Sequence, residues 1–173
     1  MDYLQNVPAT MCTTAAGLTA GTTTTFTVAN AVNVAIKGKF GAVGAAASNQ
    51  TTPTSDGNGV TFASQAIPKG YGAIFIWCLD GSSTTITSAL KIYQGPVEAL
   101  DNATDDGATS KFVRAPQLPA IPDTVCPFGA LVIRNGTGAA ATFALGTQYL
   151  ASLSKVSKTW YDLCTLQDRL QAG

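Results

Sequence analysis

A chain of 173 residues with 46% hydrophobic residues, 12% charged residues and no histidine is long enough for one buried core and short for two. The missing imidazole excludes Ser-His-Asp and Cys-His nucleophile systems and His-based zinc sites, because histidine is the side chain that ordinarily titrates near neutrality. Ten basic and ten acidic residues, spread without a basic run, offer no nucleic-acid groove. No stretch approaches the roughly 20 apolar residues of a membrane span.

Met1–Gln5 has no positive and no apolar region of a secretory signal, so synthesis in a cytoplasm is expected. Residues 1–20, with Pro8 and a Thr- and Ala-rich stretch, read as an N-terminal arm. Phe26 and Val28 alternate with Thr25 and Thr27, and Val32, Val34 and Ile36 alternate with Asn33, Ala35 and Lys37. That two-residue period marks half-buried strands, with a turn at Asn30. Residues 41–59 are small and polar, and read as a long loop or a hairpin with Asp56-Gly57 at its tip. Ala73–Leu79 is apolar on both faces and is the expected central strand. Leu90–Gln94 is placed beside it, with Leu90 and Ile92 inward.

Between Gly95 and Pro127 the chain is rich in turns, with Pro96, Pro116, Pro119, Pro122 and Pro127 and an acidic stretch from Asp101 to Asp106. Such proline density is incompatible with a sheet centre and suits a stiff connection between sheets. Ala130–Arg134 is a strand, Asn135-Gly136 a hairpin signal, Ala141–Leu145 the returning strand and Lys158–Thr165 the last. Thr165–Asp168 fits a capping box, which allows a short C-terminal helix. About eight strands with regular turn signals imply an all-β, single-domain antiparallel sandwich, jelly-roll-like. Its expected parts are an arm (1–20), a β-sandwich body (21–165) and a tail (166–173).

Each candidate for chemistry has a plainer reading. Asn102–Gly107 resembles the start of a calcium loop, but Val113 stands where the bidentate glutamate belongs, so a solvated acidic turn is expected. Glu98 and Asp162 are the best acids for a carboxylate-pair glycosidase; Asp162 reads as surface, and neither is assigned catalysis. Asn49, Asn102 and Asn135 begin glycosylation sequons, which abundant Asn and Thr explain. Trp77 reads as core, and Trp160 as a more open ring that could serve a sugar. Cys12, Cys78, Cys126 and Cys164 match no metal or redox spacing and read as reduced, mostly buried thiols. No catalytic, cofactor-binding or metal-binding residue is assigned.

The stretch Ala115–Ile133 carries a P-x-I-P-x-x-x-x-P-x-G strand entry, and it follows Tyr93-Gln94-Gly95-Pro96-Val97-Glu98. Together with Met1–Gly21 it resembles small β-sandwich virion structural proteins of tailed bacteriophages, of the head decoration or cement type. The resemblance covers about a third of the chain and transfers no functional residue. It implies a non-enzymatic protein, commonly a homotrimer, that clips the major capsid protein on the capsid exterior without nucleic acid, membrane or cofactor. A head-fibre, neck or tail component, or a carbohydrate-binding sandwich, stands beside it.

Overall fold

The computed structural model describes residues 10–37, 39–43, 47–83, 85–101, 104–148 and 150–163. In chain order the strands are β1 (Met11–Cys12), β2 (Leu18–Ala20), β3 (Thr25–Val28), β4 (Val32–Ile36), β5 (Lys39–Val43) and β6 (Ala47–Thr51). They continue with β7 (Tyr71–Leu79), β8 (Leu90–Gln94), β9 (Glu98–Ala99), β10 (Cys126–Asn135) and β11 (Val156–Asp162). One helical turn, α1 (Ile86–Ala89), precedes β8. The protein is all-β and its pairings are antiparallel throughout.

β7 lies at the middle of a five-stranded sheet, ordered β11-β10-β7-β8 with β9 also on β7. Its position follows from its sequence: all residues from Gly72 to Leu79 are buried, as a strand covered on both faces requires. The inner face carries Phe75, Trp77, Leu131, Ile133 and Ile92. These merge with Leu18, Phe26, Val28, Val32 and Val34 of the early strands into one core. Two three-stranded sheets, β1-β4-β5 and β2-β3-β6, supply those early residues. The chain passes between these two sheets at each of the steps β1 to β2, β3 to β4 and β5 to β6, so the turn at Asn30 is a corner between sheets. Sheets of five, three and three strands differ from the paired Greek keys of an eight-stranded jelly roll. The sandwich expectation holds at the level of a layered, antiparallel all-β body.

Several expectations are corrected. Residues 1–9 of the expected arm lie outside the described residues. Residues 10–20 are no arm: Met11 and Cys12 pair with Ala35 and Val34, Leu18–Ala20 pair with Phe26–Val28, and Cys12, Ala16 and Leu18 are buried. The stretch 41–59 is not one loop, because β5 and β6 run through it and pair with β4 and β3. The hairpin tip is there nonetheless. Asp56 accepts the amides of Asn58 and Val60 (2.9 and 2.8 Å), and Ser55 bridges Thr61.

Asn135-Gly136 closes no hairpin. β10 instead pairs with β11 through Asn135 opposite Val156, and the intervening chain makes an excursion in which Phe143 bridges Ile67. Asn135 is fully buried and donates through Nδ2 to the carbonyls of Ile67 and Ala141 (3.0 and 3.1 Å). A residue tying three segments together is not free to form a tight turn. The prolines do not bridge two sheets either: the segment 116–125 places Ile121 and Val125 against Ile74, Ile76 and Ala130, on the outer face of the five-stranded sheet. The expected tail, 166–173, and the capping box lie outside the described residues.

Candidate functional site

The carboxylates do not converge. Glu98 pairs with Gly72 at one end of β7, whereas Asp162 lies opposite Gly129, itself opposite Trp77. Five residues along β7 and three strand spacings across put the two acids about 20 Å apart, well beyond the roughly 5–9.5 Å of a glycosidase pair. Asp162 Oδ1 accepts the amides of Gly17 and Leu18 (3.0 and 3.4 Å), clasping β2 to β11.

The acidic insertion is built into the body. Asp106 Oδ1 accepts the amide of Ala108 (2.9 Å), and Asp101 Oδ1 that of Lys111 (3.0 Å). Asp105 pairs with Lys155 (3.1 Å). Arg134 reaches across with Nη1 to the Ser110 carbonyl (2.6 Å) and Nη2 to Ser157 Oγ (3.1 Å). A methyl group on Gly107 would stand 2.1 Å from the Arg134 carbonyl oxygen, so this turn seats tightly on β10. One carboxylate oxygen of each of Asp101, Asp105 and Asp106 serves an amide of the turn or a lysine, so the turn expected to be merely solvated is also anchored to β10.

Trp77 is core, as its strand implies. Trp160 is turned inward: its ring meets that of Trp77 edge-on at 5.3 Å and packs on the core, so it forms no open platform. Of the sequon asparagines, Asn135 is enclosed and Asn102 lies outside the described residues. Asn49 Oδ1 accepts from Thr22 N (2.9 Å) and from the hydroxyls of Thr22 and Thr25.

Cys12, Cys78 and Cys126 are buried and joined by no disulfide; Cys164 lies outside the described residues. Burial pushes the Cys78 and Cys126 thiols up to about 12, with the Cys126 thiol adding to Cys78 and the Cys12 thiol to Cys126. A raised folded pKa favours the protonated thiol. Its contribution to stability is complete below the unfolded value, near 8.5, and is lost as pH climbs towards 12. Cys78 and Cys126 are therefore expected to resist alkylation at pH 8 in the native protein and to label fully on unfolding, read site by site by peptide mass spectrometry. In denaturant titrations, stability should fall above about pH 9, by up to about 1.4 kcal/mol per pH unit for Cys78 alone. Rapid native labelling at Cys78 or Cys126 would show that these thiols reach solvent.

What remains is surface. The edge of the five-stranded sheet beyond β7 carries β9, and the segment 111–113 continues it. Tyr71 lies opposite Ala99, Val113 N donates to Ala99 O (3.0 Å), and Leu100 bridges Phe112. Residues opposite one another in antiparallel strands project to the same side, so Tyr71, Ala99 and Val113 form one row. All three are exposed, Tyr71 by 40% and Val113 by 61%. Exposed Lys69, Lys111 and Arg114 flank them in sequence. Sequence reasoning missed this row because three separate segments build it and only the strand register brings them together. A second apolar surface, a groove of about 430 Å³, lies on the outer face of the sheet. No family model, no curated protein and no solved structure matches the chain.

Proposed function

We propose that this is a non-enzymatic virion structural protein of the head decoration type. On this reading it is a homotrimer on the capsid exterior that binds the major capsid protein and stabilises the shell by bridging subunits. The observation that carries a protein-contact role is the exposed row Tyr71–Ala99–Val113 with its flanking cations. Aromatic and arginine side chains are enriched where protein surfaces dock. A rigid strand-borne patch also loses little side-chain freedom on binding. The Pro119–Gly129 stretch and its phage resemblance supply the virion context. A lattice of such contacts needs closed symmetry among the copies, and zero net charge gives little repulsion between them. The head-fibre, neck or tail alternative uses the same surface.

The test is electron microscopy of particles carrying the chain, paired with co-sedimentation of Tyr71→Ser and Val113→Ser variants. Density on the shell is expected, with each substitution weakening attachment about tenfold, or about 1.4 kcal/mol. Both residues are exposed, so stability should change by no more than about 0.5 kcal/mol. Density confined to the tail, or wild-type attachment by both variants, sinks the capsid reading or the assigned surface respectively.

A further inference from the structure

The dipeptide Asn-Gly occurs twice, at Asn58-Gly59 and Asn135-Gly136, and the fold treats the two copies differently. Asn135 is fully buried with its Nδ2 held by the carbonyls of Ile67 and Ala141, and Gly136 N donates to the Lys155 carbonyl (3.0 Å). Gly136 is also hemmed in: an added Cβ would stand 2.8 Å from the Lys155 oxygen. Asn58 and Gly59, by contrast, are exposed at the hairpin tip. A Cβ on Gly59 would meet nothing within 4 Å among the described residues, and the φ of +84° there suits glycine. The Gly59 amide donates to the Asp56 carbonyl (3.0 Å), a bond of an exposed turn that opens locally at low cost.

We propose that Asn58 is a site of slow self-modification, converting through a cyclic imide to aspartate and isoaspartate, and that isoaspartate there uncaps the edge strand β8. The Gly59 amide nitrogen attacks Asn58 Cγ. A new Cγ–N bond forms, the Cγ–Nδ2 bond breaks, and Nδ2 leaves as ammonia with the proton from the Gly59 amide. Water then opens the ring. Addition at Cγ restores the backbone and leaves an aspartate; addition at the Asn58 carbonyl carbon leaves the chain running through Cγ, as isoaspartate. Nothing is oxidised or reduced. Asparagine is thermolabile, and a following glycine removes the Cβ that would crowd the attacking nitrogen.

The consequence follows from the hydrogen bonds of the hairpin. Asp56 Oδ1 accepts the amides of Asn58 and Val60, and Asp56 N donates to the Val60 carbonyl (2.7 Å). Isoaspartate inserts one extra backbone carbon inside that ring of bonds and adds a negative charge near Asp56, so both Val60 bonds lose their register. The next residue, Gly57, donates its amide to the Ile92 carbonyl (2.8 Å), which points away from β7. β8 is an outer strand of its sheet, and an uncapped edge offers its backbone to other chains. The inference is independent of the virion reading, since it concerns the chemistry of the free chain.

The experiment ages the folded full chain at pH 8 and follows Asn58 and Asn135 by peptide mass spectrometry, with isoaspartyl methyltransferase labelling and hydrogen exchange at the Gly57 amide. Conversion at Asn58 is expected to run at least about tenfold faster than at Asn135, and the two sites should convert at similar rates in urea. Asn58→Gln, whose longer side chain would have to close a larger ring, should stay unlabelled at that position. The Asn58→Asp variant adds the charge without the extra carbon and should leave Gly57 exchange unchanged, whereas the isoaspartyl fraction should exchange severalfold faster. Asn135 converting as fast as Asn58 in the native chain, or no isoaspartate at position 58, overturns the modification site. Unchanged Gly57 exchange in the isoaspartyl fraction overturns the uncapping.

Discussion

Removing residues 1–20 is expected to abolish the cooperative unfolding transition, instead of releasing a dispensable arm. The deletion takes away β1 and β2, each the outer strand of a three-stranded sheet, and leaves the ribbons β4-β5 and β3-β6. Two-stranded ribbons are marginal alone. It also strips Cys12, Ala16 and Leu18 from the core, uncovering Phe26, Val28, Val32 and Val34. Truncating one buried leucine costs about 2–5 kcal/mol, and the whole net stability of a domain is about 5–15 kcal/mol. Several such losses together exceed that margin. Asp162 additionally loses the two amides it accepts. Urea titration followed by circular dichroism reads the outcome directly. A truncated chain that unfolds within about 1 kcal/mol of the intact one would show that the early strands are decoration on a self-sufficient five-stranded sheet.

The reason residues 10–20 read as an arm is instructive. Strands of two and three residues are too short to display a period, and Thr and Ala carry no apolar signal. Their role comes from the partners they meet, Val34–Ala35 and Phe26–Val28. The same holds for β5 and β6. Gly41, Ala42 and Asn49-Gln50 have weak strand preference, yet the alternating strands β4 and β3 beside them supply the backbone ladder. By contrast β7 and β8 are legible outright, because continuous or alternating burial is written in Tyr71–Leu79 and Leu90–Gln94. Asn135-Gly136 misleads for a different reason: turn propensity is local, while the Asn135 side chain is committed to distant carbonyls. The candidate surface was the least visible part. Tyr71, Ala99 and Val113 are unremarkable one by one, and only the pairing register makes them neighbours.

Replacing Trp77 with alanine should cost about 3–5 kcal/mol, the range for deleting a large buried ring. Trp77 is fully buried and meets Phe26 at 6.4 Å, Phe75 at 6.5 Å and Trp160 at 5.3 Å, all edge-on. Those rings come from β3, β7 and β11, so the cavity would open where the early sheets meet the five-stranded one. Phenylalanine at the same place should cost clearly less. It keeps most of the ring contacts, and it removes an indole N–H that meets no acceptor among the described residues, a group whose burial costs about 1–3 kcal/mol when unsatisfied. The comparison separates packing from polarity. A Trp77→Phe loss equal to that of Trp77→Ala would mean that the indole N–H has a partner, and that the polar atom contributes as much as the ring. Equal stability of Trp77→Ala and wild type would place β7 outside the core, against its burial and its central position in the sheet.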